Sequence, residues 1–464
     1  MRKLLVANRG EIAVRIFRTC RELGVGAVAV VAPDDAGALH ARSADEVVEI
    51  SSYLHSEEHI RAAVASGADA VHPGYGFLAE SPDFAEAVEA AGLRFVGPTA
   101  EALRLGGDKL EAKRIARAAG VPVLEQGEPG EIGFPLVIKA AAGGGGRGMR
   151  VVRGQAELQD ALEAARREAK AAFGDDRVFC ERFLERPRHV EIQLLGDGHG
   201  AVFSLGEREC SIQRRHQKVL EESPSPGIDE RSRARLEEAA IAFARAIGYR
   251  SAGTAEFMVQ GPDVFFLELN GRIQVEHPVT EEVCAVDIVA EQLRIAEGGR
   301  VADTQSPRGH AVEVRLYAED PRTFLPQAGT VLRLRLPEDI RVDAGVEEGD
   351  EIGLAYDAMI AKLIASGTTR EEALERLGAA LAETEVEGVV TNLPFLRWLV
   401  AHPLVQAGRT TTAFLVEHPP LSEPPPSTSA EAWAGAWRLN LPAPPPRPAP
   451  DVDAAAHERG SVAV

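Results

Sequence analysis

The sequence predicts an α/β protein that passes, toward its end, into a smaller α+β unit. Three observations predict this. Short apolar runs alternate with amphipathic stretches through the first hundred residues, which implies a parallel sheet with helical crossovers. Further on, Glu268-Leu-Asn-Gly-Arg-Ile-Gln-Val-Glu276 alternates polar and apolar residue by residue, as an extended strand with one loaded face does. After His418 the composition turns to Pro, Ala and Ser, where a packed domain gives way to a linker or disordered tail.

The elements follow in chain order. Residues 4–7 form a short apolar strand, 11–23 an amphipathic helix and 27–31 a second strand. Residues 57–65 and 82–91 are helical; 70–71 and 94–95 are strand-like. Residues 109–300 are mixed and carry the polar motifs. Strands at 311–316 and 330–336 then precede a helix at 370–383. The tail holds a small patch around Trp433 and Trp437.

At 464 residues the chain has room for two or three cored domains. A formal charge of −20 disfavours nucleic acid and anionic membranes as partners and requires any anion site to be built locally. Cys20, Cys180, Cys210 and Cys284 show neither metal spacing nor a disulfide framework, which suits a reducing, cytoplasmic setting. The start meets charge too early for a signal peptide. No apolar run approaches the roughly 20 residues of a membrane span. The lysines are Lys3, Lys109, Lys113, Lys139, Lys170, Lys218 and Lys362, few beside the arginines, and three of them fall inside motifs.

The alternating segment carries the most chemistry. Glu268, Asn270, Arg272, Gln274 and Glu276 point one way. The two carboxylates and the amide oxygen of Asn270 suit a hard divalent cation, with a phosphate-binding guanidinium beside them. Fully extended, the end carboxylates would lie about 26 Å apart, too far for one site, so the strand is expected to end near Asn270 with Gly271 as the bend. Glu256 lies on a strand leading toward Glu268 and completes an oxygen set for one or two Mg²⁺. The bland alternative, a solvated edge strand, suits Asn and Glu poorly.

Ala142-Gly-Gly-Gly-Gly-Arg-Gly148 sits between strand-like residues 136–140 and 149–152. That context makes it a glycine-rich hairpin loop able to lay N–H groups over phosphates and to open and close. A dinucleotide fingerprint would need a helix after it, and a Walker loop would need Gly-Lys-Ser/Thr. Gln213-Arg-Arg-His-Gln-Lys218 is a local anion site or a solvated basic loop. His189 and Glu191 share a strand face and read as a structural pair.

In this order the motifs resemble the biotin carboxylase component of biotin-dependent carboxylases, an ATP-grasp family. The resemblance runs from about residue 2 to 417. It rests on Ala7-Asn-Arg-Gly-Glu-Ile-Ala13, His72-Pro-Gly-Tyr-Gly-Phe77, Gly107-Asp-Lys109, the glycine loop, Gln213–Lys218 and Arg272-Ile-Gln-Val-Glu-His-Pro-Val-Thr-Glu281. Generic ATP-grasp ligases share the lysines and Glu256, Glu268 and Asn270, but not the last two motifs. The resemblance implies an N-terminal parallel-sheet domain over 1–108 and an ATP-grasp domain over 109–305 with a mobile lid at about 122–183. A C-terminal α+β domain at 306–417 and a tail at 418–464 complete the chain.

It implies roles as well. Lys109, Lys139 and the loop glycines Gly143, Gly144, Gly145, Gly146 and Gly148 would bind ATP phosphates. Glu181 and the backbone near Leu184 would hold adenine; His189, Gln213 and His216 would line the ribose and phosphate side. Glu256, Glu268 and Asn270 would hold Mg²⁺ or Mn²⁺. Lys218, Arg272, Gln274 and the Val275 backbone would position bicarbonate. Glu276 would deprotonate it, and Arg341 would stabilise a biotin enolate. The implied partners are a separate biotin carboxyl carrier protein, a carboxyltransferase subunit and a second copy of the chain, serving acetyl- or propionyl-CoA carboxylation and fatty acid biosynthesis. Rival readings are another ATP-grasp ligase, of carbamoyl-phosphate type, or a non-catalytic scaffold subunit.

The sequence departs from the family pattern at Gly271, where Thr or Pro is usual, and at Arg182, where Lys is common. It departs again around Arg341 and in residues 123–133, a segment shorter than usual that is expected to lack a lid helix. The tail resembles the segment that follows this module in longer fused carboxylase subunits, and no Met neighbours a Lys as biotinylation requires.

Overall fold

The computed structural model describes residues 1–141, 149–214, 217–301 and 306–420. The first apolar runs become neighbouring strands of a five-stranded sheet. Its order is Glu46–Glu49, Gly26–Val31, Lys3–Val6, Ala70–His72, Arg94–Phe95. Every pairing is parallel, which the alternating pattern requires because parallel neighbours need a crossover between them. Helix Gly10–Leu23 turns Ile12, Ile16 and Cys20 inward at four-residue spacing and stops at Gly24, whose φ of 67° is open to glycine. Strand Glu46–Glu49 escapes the pattern because it lies on the sheet edge with little buried.

A second sheet positions the site. Its eight strands run Asp263–Asn270, Arg250–Gln260, Arg188–Asp197, Val202–Arg214, Gln217–Ser223, His310–Tyr317, Met359–Gly367, Arg341–Ala344. All pairings are antiparallel. The strands after residue 306 therefore extend the same sheet that carries Glu256 and Glu268. Helices Lys109–Ala118 and Glu230–Ala246 cover one end, burying Phe243 against Phe266, which in turn meets Phe257 edge-on. Arg370–Glu383 and Leu393–Ala401 cover the other over Val312, Val314 and Leu363.

A three-stranded antiparallel sheet, Arg150–Val152, Leu136–Ala140 and Val178–Arg182, stands apart with helix Gln155–Phe173. It has a small core of its own, with Leu136, Ile138, Val152, Leu158, Ala165 and Cys180. The glycine loop joins two paired strands, as its flanks predict, but the loop itself lies outside the described residues.

Two expectations need correction. Residues 123–133 do contain a helix, the single turn Pro129–Ile132, started by a proline whose fixed φ suits the first helical position. The strand expected at 330–336 is two: Gly329–Thr330 pairs with Glu351–Ile352 and Arg333–Arg335 with Glu385–Glu387, so different partners divide it. Among the described residues no helix is long and apolar enough to cross a membrane.

Candidate active site

Antiparallel register gathers side chains far apart in sequence. Glu256 stands opposite Glu268 on one neighbouring strand and opposite Glu191 on the other. Thr254 faces Asn270, and Met258 faces His189. Three carboxylates in one row repel unless cations lie among them. Lys218 supplies one. Its Nζ donates to Glu191 Oε2 at 2.5 Å, Glu256 Oε1 at 2.8 Å and Glu276 Oε1 at 2.6 Å. Burial alone would lower the lysine pKa; the three carboxylates outweigh it and raise it well above the ordinary value.

Glu276 is fully buried. Its Oε2 accepts from Arg315 Nη2 at 3.0 Å. Burial pushes its pKa up, but Lys218, Arg315 and Arg208 pull harder and hold it below the usual carboxylate range. Glu256 is likewise held low against its burial, by Lys218 and His189. Both are therefore anionic at neutral pH.

Glu256 Oε1 also accepts from Asn270 Nδ2 at 2.9 Å and Gln274 Nε2 at 3.2 Å. Asn270 Oδ1 accepts from Arg272 Nη2 at 3.0 Å, and Lys109 Nζ lies 2.7 Å from Glu268 Oε2. Glu256, Glu268 and Asn270 line one cleft and offer carboxylate and amide oxygens, a donor set that fits a hard cation.

The strand ends at Asn270, as the alternating segment predicts. Gly271 does not take a left-handed backbone, however. What glycine supplies there is close packing: a Cβ would sit 2.7 Å from Leu103 Cδ2, and that side chain would have to shift. Glu80 braces this corner: its Oε1 accepts from Gly271 N and its Oε2 from Arg272 Nε, each at 3.0 Å. The Val275 carbonyl accepts from Lys362 Nζ at 2.8 Å.

The cleft, about 390 Å³, continues past Gln274, Val275, Gln213 and His189 to Lys109, Lys113, Lys139, Phe179 and Leu267. Glu181 is buried behind this end, bonded to Lys113 through Oε1 and to Lys139 Nζ through Oε2 at 2.7 Å. Burial and the neighbouring Lys139 lower the Lys113 pKa to about 8. Gln213 Nε2 donates to His189 Nδ1 at 2.7 Å, and His189 Nε2 lies 2.9 Å from Glu256 Oε2.

The structure thus gathers Lys109, Lys139, His189, Gln213, Lys218, Glu256, Glu268, Asn270, Arg272, Gln274, Val275 and Glu276 on one cleft. Leu184, half-buried beyond the strand Val178–Arg182, is not among the lining residues. Nor is Arg341, which donates to Glu281 Oε2 at 2.8 Å and Asp343 Oδ2 at 2.9 Å and reaches Glu282 Oε1 at 3.4 Å. His216, Gly143, Gly144, Gly145, Gly146 and Gly148 lie outside the described residues. Sequence reasoning missed Glu80, Lys113, Arg315 and Lys362, and assigned Glu191 only to a pair with His189. Glu191 instead takes Lys218 and, at 2.6 Å, Arg208 Nε. The scarcity of lysine was the one signal that could have singled out Lys113 and Lys362.

Three family models match in succession: the biotin carboxylase N-terminal domain over 1–103, the carbamoyl-phosphate synthase L chain ATP-binding domain over 83–304, and the biotin carboxylase C-terminal domain over 313–417. The biotin carboxylase of Halalkalibacterium halodurans is 45% identical over 441 residues, covering 90% of this chain and 98% of its own. The propionyl-CoA carboxylase alpha chain of Ruegeria pomeroyi is 46% identical over 463 residues, covering 90% of this chain and 68% of its own. Among solved structures, the biotin carboxylase domain dimer of Hydrogenobacter thermophilus 2-oxoglutarate carboxylase, in complex with MgADP, ADP and bicarbonate, superimposes with a TM-score of 0.88. It is 42% identical and covers 90% of this chain and 98% of that one.

Proposed function

This chain belongs to the biotin carboxylase family, and from that premise we propose which of its groups carry the reaction. It is an ATP-dependent ligase with biotin carboxylase function in a biotin-dependent carboxylase, and it uses ATP, Mg²⁺ and bicarbonate.

The observation that carries the assignment of roles is the Lys218 ammonium joining Glu191, Glu256 and the buried Glu276. Phosphoryl transfer between anions needs positioned cations more than covalent chemistry. Lys109 and Lys139, with the glycine loop, hold the ATP phosphates; Glu181, Leu184, His189, Gln213 and His216 form the nucleoside side. Glu256, Glu268 and Asn270 hold Mg²⁺, which when bound neutralises phosphate charge and orients the phosphate oxygens. Bicarbonate sits against Lys218, Arg272, Gln274 and the Val275 backbone.

Glu276 removes the bicarbonate proton. Its lowered pKa keeps it ionised but weakly basic. It gains basicity when the arriving anion takes over one Lys218 donor. A bicarbonate oxygen then attacks the γ-phosphorus and ADP leaves. The carboxyphosphate formed breaks down to CO₂ and phosphate. Phosphate takes the ureido proton of biotin, and the resulting enolate, stabilised by Arg341, attacks CO₂ through nitrogen.

The biotin is carried by a biotin carboxyl carrier protein, and a carboxyltransferase accepts the product. The acyl group is of acetyl- or propionyl-CoA type, with fatty acid biosynthesis as the setting for the former; the Ruegeria pomeroyi relative supports the latter. The Hydrogenobacter thermophilus dimer supports a homodimer. The four cysteines, unpaired and buried, support a reducing cytoplasm.

ATP cleavage measured with and without bicarbonate and free biotin tests this reading. Cleavage should need bicarbonate and rise with biotin. Bicarbonate dependence indifferent to biotin would favour a carbamoyl-phosphate-type ligase, and no cleavage at all would favour a scaffold.

A further inference from the structure

Lys362 lies on strand Met359–Gly367 and is completely buried. None of the roles above uses it. A buried ammonium is costly unless paired and hydrogen-bonded, so its partners show what it is for. They come from three separate elements. Nζ donates to the Val275 carbonyl at 2.8 Å. It lies 3.2 Å from Glu11 Oε2 on helix Gly10–Leu23 and 3.9 Å from Asp343 Oδ2 on strand Arg341–Ala344.

Each partner leads back to the reaction. The peptide unit that begins at the Val275 carbonyl ends at Glu276. It is planar, so holding the carbonyl fixes where the Glu276 side chain starts. Glu11 Oε1 accepts from the Tyr75 hydroxyl at 2.5 Å, and Tyr75 lines the cleft. Asp343 Oδ2 accepts from Arg341 Nη2 at 2.9 Å. One cation therefore touches the bicarbonate loop, the N-terminal sheet domain and the strand of Arg341.

We propose that Lys362 is a positioning residue that sets the Val275–Glu276 peptide for bicarbonate and, through Asp343 and Glu11, ties that peptide to Arg341 and Tyr75. The proposal rests on the bicarbonate assignment above. It does not place Lys362 in contact with substrate. Its signature is accordingly a split in kinetic constants: bicarbonate recognition should suffer while nucleotide binding, at the far end of the cleft, is spared.

The test is Lys362→Met, which keeps the length of the stem and removes the charge. Bicarbonate KM should rise about tenfold or more, on the scale of one lost charge-assisted hydrogen bond. ATP KM and nucleotide Kd, read by fluorescence, should stay within about twofold. If the wild-type protein shows no bicarbonate-dependent ATP cleavage, the functional reading falls and this inference with it. If the wild-type is active and Lys362→Met melts normally with unchanged bicarbonate KM, or with ATP and bicarbonate KM raised equally, only the positioning role is overturned. If Lys362→Met does not fold, Glu11→Gln decides. It leaves the lysine in place and loosens one arm, and bicarbonate KM should then rise about threefold with ATP KM unchanged. An unmoved bicarbonate KM in that variant refutes the proposal.

Discussion

Glu276→Gln keeps the shape of the proposed base and removes its charge. The carboxylate accepts from Lys218 Nζ at 2.6 Å and Arg315 Nη2 at 3.0 Å. Such charge-assisted bonds contribute about 1.5–3 kcal/mol each. Glutamine keeps one accepting oxygen but turns an amide N–H₂ toward the other cation. Neither cation is stranded: Lys218 keeps Glu191 and Glu256, and Arg315 keeps Glu221 at 2.6 Å. The loss of stability should therefore be about 2–4 kcal/mol, at the low end of what an ion left wholly unpaired in the interior costs. Bicarbonate-dependent ATP cleavage should fall about 10²-fold or more, the scale of a general base, with nucleotide binding kept. The pH dependence has a definite sign. The folded pKa of Glu276 lies below its ordinary value, so its stabilisation is present above the unfolded pKa of about 4.3 and is lost as pH falls toward the folded value. The stability gap between wild-type and variant, read by urea unfolding, should be flat from about pH 8 to 5 and narrow below about pH 4. A near-wild-type rate in a normally folded variant, or a gap that widens in acid, refutes this account of Glu276.

Glu268→Gln should raise the Mg²⁺ concentration for half-maximal activity about tenfold or more, because a neutral amide oxygen replaces a hard anionic ligand. Unchanged metal dependence with a normal thermal melt would make Glu268 structural. Gly271→Ala adds a methyl group 2.7 Å from Leu103 Cδ2, the end of a flexible side chain that can shift. It should cost about 1–3 kcal/mol in urea unfolding, and no measurable cost would mean that the corner is looser than its packing indicates.

Much of the site was legible where neighbouring residues carry it. The alternation from Glu268 to Glu276 gives both the polar set and the strand end at Asn270. The strands flanking the glycine loop give its hairpin. Residues joined by register were not legible. Glu191 becomes part of the site because it stands opposite Glu256 across a strand pair more than sixty residues apart, and nothing local marks that partner. Arg315 and Lys362 reach Glu276 and Val275 from strands that belong, by sequence, to the C-terminal unit; only the continuous eight-stranded sheet brings them in. Glu80 arrives from the loop between strand Ala70–His72 of the first sheet and helix Pro82–Ala90, beside the motif His72–Phe77 but outside it. For Gly271 the sequence placed the corner correctly and the cause wrongly, because close approach of a neighbour's side chain leaves no trace in local pattern.

The central claim is that bicarbonate itself attacks the γ-phosphorus of ATP, in a cleft where Glu276 removes its proton. Oxygen transfer tests this most directly. With ¹⁸O-labelled bicarbonate in unlabelled water, and with biotin present, mass spectrometry of the released phosphate should find one bicarbonate oxygen in each phosphate. Phosphate that takes its new oxygen from water would show hydrolysis without carboxyphosphate and would contradict the account.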